Sequence, residues 1–98
     1  MIETTILLNL TEGHRKYYII ELHKEGQDFW TVTGYWGRVG VMSQSKIYLH
    51  HCPNEWIARQ QVKRLYNTRL DHGYTLHERN NKPAPSSVST VEAILSAL

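Results

Sequence analysis

The apolar residues of this chain change their spacing once, at Cys52-Pro53. Before that point they alternate with polar residues at steps of two. After it they recur at steps of three and four. The first period belongs to strands with one face on a core, and the second to a helix burying a stripe. Strands in series followed by a single helix leave few architectures open. The turns between the strands are short, so successive strands pair antiparallel. The expected fold class is α+β: a twisted antiparallel sheet of four or five strands with one α-helix packed on it.

The elements can be placed. Ile6, Leu8 and Leu10 alternate with Leu7 and Asn9 and mark a first strand, closed by the turn Thr11-Glu12-Gly13-His14. Tyr17 to Leu22 is a second strand, with Tyr18, Ile20 and Leu22 on one face and Tyr17, Ile19 and Glu21 on the other. After the polar turn Lys24–Asp28, Phe29 to Trp36 forms a third strand rich in aromatic and β-branched residues. Gly37 to Gly40 is a turn. Ser43 to Leu49 returns as a fourth strand whose poor alternation suits a sheet edge. Tyr74, Leu76 and Glu78, alternating with Thr75, His77 and Arg79, give a short last strand.

A helix is expected over 54–72, with Asn54 as its cap, Pro53 at its start and Gly73 as a left-handed terminator. Trp56, Ile57, Ala58, Val62, Leu65, Tyr66 and Leu70 form its apolar stripe. Arg59, Lys63, Arg64 and Arg69 fall largely outside that stripe. The expected core is Trp30, Tyr18, Ile20, Ile57, Val62, Leu65 and Leu70. The domain spans 1–79. Residues 80–98 read as a Pro/Ser linker and a short amphipathic helix, with capping-box spacing at Ser89 and Glu92 and Val91, Ile94, Leu95 and Leu98 on one face. A helix of about nine residues is not stable alone, so it docks on this domain or another chain, or opens a longer protein.

Composition sets bounds. The 98 residues suit one domain with a modest core. No apolar run reaches membrane-spanning length, and the start, Met1-Ile2-Glu3-Thr4, lacks the features of a secretion signal. One cysteine, Cys52, excludes an internal disulfide and fits a reducing, cytoplasmic setting. Charge is unevenly placed. Residues 1–37 carry three Lys/Arg against five Asp/Glu, while 38–79 carry seven against three. Positive charge gathered in one half points to an anionic partner, or else to a solvated basic face.

Catalytic and metal chemistry find little support. His50-His51-Cys52 has only His72 or His77 to complete a tetrahedral set, and reads as a polar junction before the helix. Gly34, Gly37 and Gly40 form no nucleotide-cradling loop, because G-x-G-x-x-G is absent and a strand follows. No nucleophile–base arrangement stands out. No enzyme activity, cofactor or metal is expected.

Tyr35-Trp36-Gly37-Arg38-Val39-Gly40 is the stretch with a chemical character of its own. Trp supplies a flat stacking face and Arg a planar fork that grips phosphate. The alternatives are a core Trp and an Arg paired to a carboxylate on a neighbouring strand. The Trp36-Gly37-Arg38 triplet, the Tyr-rich strand Lys16-Tyr17-Tyr18-Ile19-Ile20 before it, the strand and helix after it, and Gly73-Tyr74 at the helix end together resemble the WGR domain over roughly residues 5–79. That family implies an antiparallel sheet with one helix. It occurs in DNA-dependent poly(ADP-ribose) polymerases, where it lies near a DNA break, and in bacterial proteins, including molybdate-metabolism-regulator-like ones. The chain has no room for the polymerase catalytic domain, so the bacterial stand-alone kind is the nearer comparison. The resemblance implies that Trp36 stacks on a terminal nucleotide's sugar, that Arg38 holds the domain on DNA or a neighbouring module, and that Gly37 permits close approach. Tyr74 is a weaker transfer.

The expected function is a non-catalytic nucleic-acid-binding module for duplex DNA ends or nicks, without sequence specificity. The binding set is Trp36, Gly37, Arg38, Lys46, Tyr74, Arg59 and Lys63. The alternative is a protein–protein adaptor that uses the same turn as its hot spot. No membrane partner is expected.

Overall fold

The computed structural model describes residues 1–38 and 44–84. The expected turn at Val39-Gly40 and the C-terminal helix of 91–98 lie outside them. Five strands and a helix follow in order: β1 (Ile2–Asn9), β2 (Lys16–Glu25), β3 (Phe29–Arg38), β4 (Gln44–Cys52), α1 (Glu55–Asp71) and β5 (Thr75–Asn80). They form one antiparallel sheet in the order β4-β3-β2-β1-β5, with α1 packed over β2, β3 and β4. The α+β expectation holds. The irregular fourth strand does lie at an edge, and the last strand forms the other edge by pairing with β1.

Alternation along β2 divides the core into two layers. Tyr18, Ile20 and Leu22 join Leu7, Trp30, Val32, Cys52, Ala58 and Leu65 beneath the helix. Tyr17 and Ile19 join Ile6 and Leu8 on the opposite face, with Tyr35 and Ala84 packed against them. The chain after β5 turns onto that second face. The hydroxyl of Thr4 donates to the Lys82 carbonyl, and the Ala84 N–H donates to Glu21 Oε2 at 2.8 Å.

The helix ends are as expected. The Asn54 side chain accepts from the Ile57 N–H at 3.1 Å, and Gly73 sits at φ +89°. Asn9 ties the end of β1 to the end of the helix by donating to the His72 carbonyl. The stripe is narrower than expected. Ala58 and Leu65 are buried and Val62 and Tyr66 partly so, but Ile57 and Leu70 are 46% and 39% exposed and Trp56 is 68% exposed. At about 100° per residue, positions 58, 62, 65 and 69 share one face, and Ile57 and Leu70 fall on its flanks. Ile57 and Leu70 therefore leave the predicted core. Arg69, expected outside, lies on the sheet side.

Candidate nucleic-acid interface

Residues 30, 32, 34, 36 and 38 of β3 point to the helix side of the sheet. Their register with β2 builds a ladder: Lys24 opposite Trp30, Leu22 opposite Val32, Ile20 opposite Gly34, Tyr18 opposite Trp36, and Lys16 opposite Arg38. Apolar pairs fill the middle of this ladder. An aromatic pair and then a pair of cations finish it.

The Trp36 indole is half-buried. It stacks on Tyr18 with ring centroids 5.9 Å apart and planes 11° apart, and its Nε1 donates to Gln44 Oε1 at 3.0 Å. Gln44 is exposed on the edge strand, so one border of the indole reaches the surface. Arg38 is exposed and makes no ion pair among the described residues. Trp36 and Arg38 thus share one face, and neither is sealed in the interior.

Tyr18 is the hub beneath them. Its hydroxyl donates to the Tyr48 hydroxyl at 2.9 Å, and the edge of its ring meets Tyr74 at 6.4 Å. The Arg69 guanidinium lies 4.1 Å from its ring centroid, a cation–π contact. The Arg69 Nε is buried without a hydrogen-bond partner. Burial holds the Tyr18 phenol well above its ordinary pKa, and the bond to Tyr48 adds to this; Arg69 pulls weakly the other way. Burial also raises Tyr74 and Tyr35. The hub is therefore neutral, and its positive neighbours are not offset by phenolate. Lys46 extends the cluster along the edge, with its ammonium 5.1 Å from the Tyr48 ring.

Glycine makes this packing possible at two positions. A Cβ on Gly34 would fall 2.6 Å from the Tyr18 oxygen and 2.8 Å from a Tyr48 ring carbon. A Cβ on Gly37 would fall 2.9 Å from the Tyr17 oxygen on the opposite face. The space beside Gly37 thus belongs to Tyr17, and its lack of a side chain has a packing reason within the fold.

Of the predicted set, Trp36 and Tyr74 contact Tyr18, Lys46 lies over Tyr48, and Arg38 stands one rung beyond Trp36 on the same face. Arg59 and Lys63 lie elsewhere. Arg59 lies 5.8 Å from the Trp30 ring, and Trp30 is six residues back along β3, or about 20 Å at strand spacing. Arg59 is also engaged by carboxylates: Nε donates to Glu55 at 2.9 Å, and the two terminal nitrogens donate to Glu3 at 3.0 and 3.1 Å. These bonds hold its pKa above the usual range.

Sequence reasoning missed Arg69, Lys16, Tyr18 and Tyr48 as parts of the site. For Arg69 a signal existed, since 58, 62, 65 and 69 keep the steps of the buried stripe. Lys16 required the β2–β3 register. No group of three metal-ligating side chains occurs among the described residues.

A family profile for the WGR domain matches residues 4–82, most of the chain. The chain belongs to the WGR domain family. WGR domains in general bind nucleic acid, and they are non-catalytic modules. Neither curated proteins nor solved structures gave a match. In this WGR domain the triplet runs from the aromatic rung of the ladder to the cationic one. No helix among the described residues is long and apolar enough to cross a membrane.

Proposed function

We propose that this WGR domain binds duplex DNA at ends or nicks, by phosphate contact and stacking and without reading bases. One observation carries the reading: Lys16 and Arg38 face each other directly across β2 and β3, next to the Tyr18–Trp36 stack. Like charges directly opposite each other destabilise a sheet. Neither has a carboxylate partner among the described residues, so the arrangement is relieved by an anion from outside. Arg69 and Lys46 widen the footprint. An end or nick offers what an intact duplex lacks, an unstacked terminal nucleotide for the exposed border of Trp36. Phosphate contacts position the domain and carry no sequence information.

The test compares a blunt duplex, a nicked duplex and a closed circle by titration at two salt concentrations. Ends and nicks are expected to bind more tightly than the circle. If the four cations reach phosphates, log affinity falls against log salt with a slope of roughly −3 to −4. Equal binding to the circle would reject end recognition. Binding unchanged by Trp36→Ala with Arg38→Ala would reject the site. Lysate partners that survive nuclease and depend on Trp36 would favour the protein-adaptor reading.

A further inference from the structure

One helix cannot cover this sheet. A helix is about 10 Å across, while five strands spaced at about 4.8 Å span about 20 Å. α1 packs chiefly over β2, β3 and β4; Leu7 of β1 is buried with its stripe, but among the described residues no other element lies over the outer part of the β1–β5 half. Between that half and the flank of the helix lies a cleft of about 420 Å³. Arg59, Lys63 and Tyr66 line it from α1, Glu3 and Thr5 from β1, and Arg79 from β5.

We propose that this cleft binds a small phosphomonoester. It holds three cations and one carboxylate, Glu3, which is committed to Arg59 by a two-pronged bond. Lys63 and Arg79, on opposite walls, have no carboxylate partner among the described residues. Their two charges match a terminal phosphate, which carries about −1.5 to −2 at neutral pH; a carboxylate supplies only half of that. The Arg79 guanidinium is held 4.9 Å from the Tyr66 ring centroid, so its fork is oriented before a ligand arrives. The Thr5 side chain lies on the same face of β1 and supplies a hydroxyl at the floor. The volume is at the lower end of ordinary ligand pockets. The cleft is separate from the DNA surface, because Glu3 pairs with Leu22 and Leu22 with Val32, at the far end of the ladder from Arg38.

The test titrates the full chain with adenosine 5′-monophosphate, inorganic phosphate and adenosine, following amide shifts by NMR. The monophosphate is expected to shift Thr5, Lys63 and Arg79, inorganic phosphate to do so more weakly, and adenosine not to do so. Affinity falls as pH drops below about 6, where the phosphate loses its second charge. Lys63→Ala and Arg79→Gln are each expected to weaken binding about tenfold, as for loss of a charge-assisted bond. Lys63 is exposed on the helix, so its variant keeps the fold. Trp36→Ala leaves this affinity unchanged. Equal binding of adenosine, no effect of Lys63→Ala in a folded variant, or displacement of the monophosphate by an unphosphorylated duplex would each overturn the proposal. The first two of these results leave the reading of Trp36 as the duplex site intact.

Discussion

The two ends of the helix-covered face carry cations in different company. At the Trp36 end, Arg69 and Lys46 lean on tyrosine rings, and Lys16 faces Arg38. No carboxylate pairs with any of them among the described residues. At the Trp30 end, Arg59 also lies over an aromatic ring, but Glu3 and Glu55 hold it. An aromatic face orients a guanidinium without neutralising it, whereas a carboxylate does both. Counting cations along a helix therefore does not locate an anion site. Their partners decide which of them are free.

The largest effect should come from filling the glycine that lets the Trp36 end close. In Gly34→Ala the new methyl meets the Tyr18 hydroxyl and a Tyr48 ring carbon closer than atoms can approach, so Tyr18 or Tyr48 must move. Overpacking of this kind costs about 1–3 kcal/mol. Chemical denaturation is expected to show that loss, together with weaker duplex binding. An unchanged midpoint would mean that Tyr18 and Tyr48 have slack and that the end is not rigidly built.

Next in size is the contrast between two arginines of one helix. Arg69→Ala is expected to weaken duplex binding about tenfold, or about 1.4 kcal/mol, by removing a cation beside the stack. Arg59→Ala should change it less than twofold, because its charge is already balanced by Glu3 and Glu55. The reverse ranking in a titration would break the comparison outright.

Much of this was readable in the sequence, and the rest was hidden for physical reasons. The change of period at Pro53 gave the sheet and helix, and Gly73 gave the helix end. Trp36 and Arg38 share a face because strand side chains alternate, which any strand assignment implies. Arg59 and Lys63 lie away from the Trp36 end because a helix 17 residues long reaches both ends of the face. Composition cannot say which end a given turn serves. Arg69 was hidden by its charge: its position fits the buried stripe, but an arginine there is unexpected until Tyr18 is seen beneath it. The Lys16–Arg38 pairing depends on register, which the turn between β2 and β3 sets and hydrophobic pattern alone does not.

A smaller effect concerns alkaline pH. Burial and Tyr48 raise Tyr18 above its ordinary value of 10.0. The folded state prefers the neutral phenol, so its stabilisation is complete below the unfolded value and is lost as pH rises through the folded one. Thermal melts taken from about pH 8 upward are expected to fall beyond pH 10. Tyr18→Phe should flatten part of that fall, while Tyr35 and Tyr74, shifted the same way, supply the remainder. An identical fall in the variant would assign the alkaline loss to other groups.

The smallest effect tests the opposite end. Arg59 and Glu3 make a two-pronged pair, yet both side chains are about two-fifths exposed, at 42% and 41%. Water screens such pairs, and exposed ones contribute roughly 0.2–1 kcal/mol. A double-mutant cycle on Glu3→Gln and Arg59→Gln is therefore expected to give a coupling energy under about 1 kcal/mol, falling further as salt is added. The value of the pair lies instead in cancelling a charge. Glu3→Gln combined with Glu55→Gln removes both carboxylates from Arg59 and gives the Trp30 end a free arginine. If duplex DNA then binds more tightly, the carboxylates are what keep that end from acting like the other. If binding stays the same, proximity to the Trp36 stack, and not neutralisation, separates the two ends.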